Sequence, residues 1–102
     1  MENKIKRFSY NQLLVLSAFL KKAGAVTTIA YLQKTTHLAG KSLGGVISSL
    51  SRTRFRNASL IEPVGADNSG SGLRWLLNSR LLDVTRAKNE VTRLLKLYKA
   101  SV

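Results

Sequence analysis

Residues 35–52 read TTHLAGKSLGGVISSLSR, and their apolar spacing decides how the rest of the chain is read. Leu43, Val46, Ile47 and Leu50 recur at three- and four-residue intervals, the spacing that gathers side chains on one face of a helix, so a helix is predicted over residues 41–52. Lys41, Ser42, Gly45, Ser48, Ser49 and Arg52 then point largely the other way, giving an outer face that is small, polar and basic. Ahead of it, Thr35 to Gly40 forms a tight turn with one apolar anchor, Leu38. A Gly-Gly pair inside a helix costs about 1 kcal/mol per residue relative to Ala. Gly44 and Gly45 therefore need a physical reason. Close packing inside the protein is the expected one for at least one of them, with close approach to DNA the alternative.

Upstream, Ser9 followed by Gln12 is a capping box, which satisfies backbone donors at a helix start. The first helix is predicted over residues 10–22, with Leu13, Leu16, Phe19 and Leu20 inward and Gly24 supplying the stop. A threonine of Val26-Thr27-Thr28 caps a short second helix that carries Ile29 and Leu32 inward and ends near Lys34. Downstream, residues 60–64 (LIEPV) and 73–77 (LRWLL) read as two strands. Pro63 confines its strand to an edge, and the glycine-rich stretch between the strands is a hairpin tip. A long last helix is predicted from residue 78 or 79 to residue 100. Leu77, Val84, Ala87, Val91, Leu94 and Tyr98 fit much of a heptad pattern there, and Leu81 and Leu95 widen the stripe. Such a stripe packs back on the first helix or pairs with a second copy. A homodimer is the expected outcome, with Val84, Ala87, Val91, Leu94, Leu95 and Tyr98 at its interface.

The charge points to a partner. Seventeen Lys and Arg stand against five Asp and Glu, a formal net charge of +12 in 102 residues. Self-repulsion on this scale weakens folding unless an anion offsets it. No acid occurs from residue 3 to residue 61, where Lys4, Lys6, Arg7, Lys21, Lys22, Lys34, Lys41, Arg52, Arg54 and Arg56 lie. Arg54 and Arg56 alternate with Thr53 and Phe55, so in an extended segment both guanidiniums share one side, and they are assigned to phosphates. Lys4, Lys6 and Arg7 make residues 1–8 a basic arm that either follows a nucleic-acid backbone or serves solubility.

The order of three helices, a β-hairpin and a long helix resembles the winged helix-turn-helix superfamily, in particular its small dimeric MarR- and PadR-like regulators. Residues 39–50 match the recognition helix, and residues 60–64 with 73–77 match the wing. The expected fold is thus α+β, mainly helical, in one domain: arm 1–8, winged helix-turn-helix 9–77, C-terminal helix 78–102. The resemblance implies that the helix over 41–52 enters the major groove of double-stranded DNA, with Lys41, Ser42, Ser48, Ser49 and Arg52 at bases or nearby phosphates. Lys34 and His37 flank the turn and complete the contact set. Arg74 is the basic residue near the wing tip, where Asp67 partly opposes it.

Other chemistries find no footing in the residues. The chain has no cysteine and one histidine, His37, and its acids show no spacing for an acid/base pair or a metal cage. Gly40-Lys41-Ser42 imitates the end of a phosphate-binding loop, but Thr35 stands where that motif needs glycine. No enzymatic activity, cofactor or metal is expected. The apolar run at residues 13–20 is too short to span a bilayer, and Lys21 and Lys22 spoil the likeness to a signal peptide. The expected protein is a cytoplasmic, nucleoid-associated transcriptional regulator or a DNA-organising or partition factor. RNA or ribosome binding, and a protein-interaction adaptor, are its rivals.

Overall fold

The capping box at Ser9 forms as its spacing requires: the Gln12 N–H donates to Ser9 Oγ at 3.2 Å, and the Ser9 N–H donates to Gln12 Oε1 at 2.7 Å. In a computed structural model, which describes residues 2–55, 57–66 and 72–100, this box opens a helix that is preceded by one short helical turn. The elements are α1 (Glu2–Ile5), α2 (Tyr10–Lys21), α3 (Ile29–Thr36) and α4 (Gly40–Ser51), then β1 (Arg54–Phe55), β2 (Ala58–Ser59), β3 (Ile61–Ala66) and β4 (Leu73–Leu77). A 3₁₀ turn (Ser79–Leu81) leads into α5 (Val84–Ala100). The chain is α+β and mainly helical, as expected.

Burial follows the apolar spacing. Leu13, Leu16 and Phe19 of α2, Leu32 of α3, and Leu43, Ile47 and Leu50 of α4 meet Leu60, Ile61, Leu77, Ala87 and Val91 in one continuous core. The strands lie against this helical layer. β3 and β4 pair antiparallel, with Ile61 opposite Leu77 and Pro63 opposite Trp75, and a bulge intervenes before Ala66 meets Leu73. Gly65 sits in that bulge at φ +111°, a conformation that glycine adopts without strain. The far edge of β4 is anchored as well. Thr27 exchanges both backbone hydrogen bonds with Trp75, at 2.7 and 2.8 Å, which ties the hairpin to the start of α3.

Three expectations need correction. Residues 1–8 are not a loose arm as far as they are described: Ile5 is fully buried and Phe8 is 7% exposed, so α1 docks on the core. Apolar residues three apart close one side of a helical turn, and covering them outweighs keeping the segment in water. A second, very short hairpin stands where residues 52–56 were expected merely to extend. Arg54 pairs with Ser59 and Phe55 with Ala58, and Asn57 turns the chain at φ +70°. Finally, the last helix begins at Val84 rather than at residue 78 or 79, because Asp83 caps it: Asp83 Oδ1 accepts the Arg86 N–H at 3.1 Å. Loss of such a cap costs about 1 kcal/mol. Asp83→Ala is expected to lower the thermal midpoint by about 4–8 °C, read by circular dichroism; no shift would remove the cap from the fold's support.

Candidate nucleic-acid interface

Local chemistry sets the angle between α3 and α4. Thr28 Oγ1 accepts the Tyr31 N–H at 3.1 Å and so starts α3, while His37 ends it in the left-handed region at φ +62°, its N–H donating to the Gln33 carbonyl at 2.9 Å. Thr36 is buried at this corner. Its hydroxyl donates to the Leu32 carbonyl at 2.7 Å and accepts the Leu38 N–H at 3.2 Å, and Leu38 then packs on the core. Gly40, at φ +57°, turns the chain into α4.

Leu43, Ile47 and Leu50 hold α4 to the core at 0–4% exposure. Its opposite face carries Lys41, Ser42, Gly44, Gly45 and Ser48, all exposed, and Arg52 follows, also exposed. Lys34 and His37 are exposed at the end of α3. These residues form one surface across α3, the turn and α4, with no acid between residues 3 and 61 to oppose it. Ser49 does not belong to that surface. It is half-buried, accepting from Gln12 Nε2 at 3.0 Å and donating to the Val46 carbonyl at 2.9 Å. Its hydrogen bond with Gln12 ties it to the flank of α4 that meets α2.

The glycine pair overturns another expectation. A Cβ built on Gly44 or Gly45 meets nothing within 4 Å, so internal packing explains neither. Gly44 instead borders an open, apolar groove of about 240 Å³, lined also by Ile29, Ile47, Ser48, Gly72, Leu73 and Trp75. The groove runs between α4 and the β3–β4 hairpin, and Leu73 is 44% exposed beside it.

The arginines divide. Arg54 is exposed and lies along the small hairpin, its guanidinium donating to the Asn57 carbonyl at 2.6 Å and to Ser59 Oγ at 3.5 Å. The Lys4 ammonium donates to the Arg54 carbonyl, so α1 brings a cation of the expected basic arm to this corner. Ile5 and Phe8 were the available signal, because apolar residues three apart mark a segment that docks. Arg74, expected to reach forward, is half-buried and laid against β3: Nη2 donates to the Val64 carbonyl at 3.3 Å, and Nε is buried with no partner among the described residues. Arg56 and Asp67 lie outside the described residues.

Most of the stripe expected at a dimer interface packs against its own chain, while Tyr98 stays 39% exposed. Ala87 and Val91 are 2% and 1% exposed, and Val84, Leu94 and Leu95 pack against the same core. Tyr98 sets its ring edge-on to Tyr10, with centroids 5.8 Å apart, and its hydroxyl donates to the Phe8 carbonyl at 3.2 Å. An apolar stripe must be covered, but its spacing does not say by which chain. Here α2 and α1 do it.

Among the described residues no group of three or more His, Cys, Asp or Glu is placed to hold a metal ion, and no helix is long and apolar enough to cross a membrane. No protein-family model matches the chain, and no curated protein or solved structure matches it.

Proposed function

We propose that this protein binds double-stranded DNA as a winged helix-turn-helix, with α4 as the recognition helix in the major groove and the β3–β4 hairpin as the wing. The observation that carries the reading is the exposed glycine pair. Two glycines on the outward face of α4 weaken the helix and relieve no internal crowding. What they permit is approach: without a Cβ, base edges or a phosphate backbone come against the helix itself. Lys41 at one end of that face and Arg52 at the other supply the charge for phosphates, and Ser42 and Ser48 supply hydroxyls for bases or phosphates.

Lys34, His37, Arg54 and Lys4 extend the positive surface, so that the footprint runs from α3 through α4 to the small hairpin. Arg74 and Ser49 are not assigned to DNA, since both are half-buried as well as hydrogen-bonded within the fold, whereas Arg54 and Lys4 are exposed. The function is accordingly that of a transcriptional regulator or a DNA-organising or partition factor.

The test is a mobility-shift titration over a range of salt, with duplex DNA competed against structured RNA. Binding should weaken linearly in log[salt], with a slope of about −0.9 per phosphate neutralised. Lys41→Ala with Arg52→Ala should reduce that slope by about 2 while leaving the fold intact. No duplex binding at low salt, or preference for RNA in competition, would overturn the reading.

A further inference from the structure

A second basic surface lies on α5. Arg86, Lys88, Arg93, Lys96 and Lys99 are all exposed on this helix, alongside Thr85, Asn89 and Thr92. The acid on α5, Glu90, stays near Arg93, which donates to it through Nε at 3.2 Å and Nη2 at 2.5 Å. That hydrogen bond holds the Glu90 carboxyl below its usual range, so it remains an anion engaged with its neighbour. Lys96 has a cation three residues away on either side, Arg93 and Lys99, and like charges at this spacing weaken a helix. A face kept only for solubility gains from alternating signs. This one concentrates a single sign.

The two basic faces look in different directions. Tyr10 of α2 meets Tyr98 of α5, whereas Gln12 of α2 meets Ser49 of α4. Two residues along a helix are about 200° apart around its axis, so α4 and α5 flank α2 on opposite sides. Each turns its apolar stripe inward, with Leu43, Ile47 and Leu50 on one and Ala87 and Val91 on the other. Their outward faces therefore point away from each other across the body of the molecule.

We infer that α5 is a second, sequence-independent binding face for duplex DNA, so that one molecule bridges two duplex segments: one on α4, the other on the phosphate-contacting face of Lys88, Lys96 and Lys99. This rests on the reading of α4 as a duplex-binding helix and deepens it toward DNA organisation. Phosphate contacts alone suffice for the second face, because counterion release needs no base readout.

The experiment anchors one duplex on beads and measures capture of a second, labelled duplex by the full-length protein, alongside one-duplex affinity by gel shift. Capture should rise with protein and then fall once each duplex is saturated by its own molecules. Lys88→Ala, Lys96→Ala and Lys99→Ala together, with helicity checked by circular dichroism, should cut capture roughly tenfold at fixed salt while changing one-duplex affinity only about twofold. Wild-type protein that binds one duplex but captures no second would overturn the inference and leave the α4 reading standing. Capture that the triple variant retains, or that plateaus without falling, would assign bridging to self-association and overturn it too. One-duplex affinity lost as severely as in the Lys41/Arg52 variant would merge the two faces into one footprint. Wild-type protein that binds no duplex at all removes the α4 reading, and this inference with it.

Discussion

Gly44→Ala combined with Gly45→Ala is expected to make the protein more stable and its DNA complex weaker. Both positions face open space, so an added methyl meets no atom within 4 Å. Helix propensity then acts alone: the pair should gain about 1–2 kcal/mol, raising the thermal midpoint by roughly 5–15 °C. If α4 enters the groove as proposed, the same methyls stand where the duplex approaches. Crowding a fitted contact costs about 1–3 kcal/mol, which is roughly ten- to hundredfold in affinity. The opposite signs make the experiment decisive, since a variant that melts higher has not lost binding by unfolding. Higher stability with unchanged affinity would show that the glycines do not face the duplex. Unchanged stability would mean that the helix interior is not where the glycines exert their cost.

Phe19→Ala is expected to remove most of the fold's stability. Phe19 is fully buried in α2, the helix on which α3, α4 and α5 all pack. Truncating a buried Phe costs about 3–5 kcal/mol, against the roughly 5–15 kcal/mol that a domain usually has. The melt should broaden and move down by tens of degrees, the more so at low salt, where the net charge of +12 is least screened. Duplex DNA should restore part of the loss, because a ligand that binds only the folded state stabilises it by mass action, about 2.7 kcal/mol at a hundred times its Kd. A melt within a few degrees of wild type would place the centre of the core elsewhere.

The features legible in the sequence are those with local causes. The Ser9–Gln12 box, the threonine cap of α3 and the apolar stripe of α4 each depend on residues within a few positions of one another; the box and the stripe lie where their spacing placed them, and of the two candidate threonines Thr28 is the cap. The bounds of β4 match for the same reason: five residues between turn signals carry their own pattern. The remaining features depend on distant pairings or weak signals. Two-residue strands such as β1 and β2 have no periodicity to read, and Asn57 turns them without a glycine. Lys4 reaches a carbonyl fifty residues away.

The candidate site divides in the same way. Lys41, Ser42, Ser48 and Arg52 could be placed from the helical wheel, because Leu43, Ile47 and Leu50 fix which side of α4 faces inward. Ser49 could not, since its partner Gln12 lies on another helix. Arg74 turned inward because the bulge at Gly65 brings the β3 backbone within reach of its guanidinium, and neighbouring residues alone do not specify a bulge. The cover of the α5 stripe was a choice between two surfaces of similar polarity. Only the folded chain decides it.

The hydrogen bond from Tyr98 to the Phe8 carbonyl joins positions ninety residues apart. Ile5 and Phe8 are buried, and α1 packs against α5, so the two helices share part of their cover. Peeling α1 away strips cover from the last turns of α5, and loosening α5 exposes Ile5 and Phe8. The two ends therefore do not fray as independent tails; they open together or stay shut, and they share one cooperative unit with the α2 helix that separates the two basic faces.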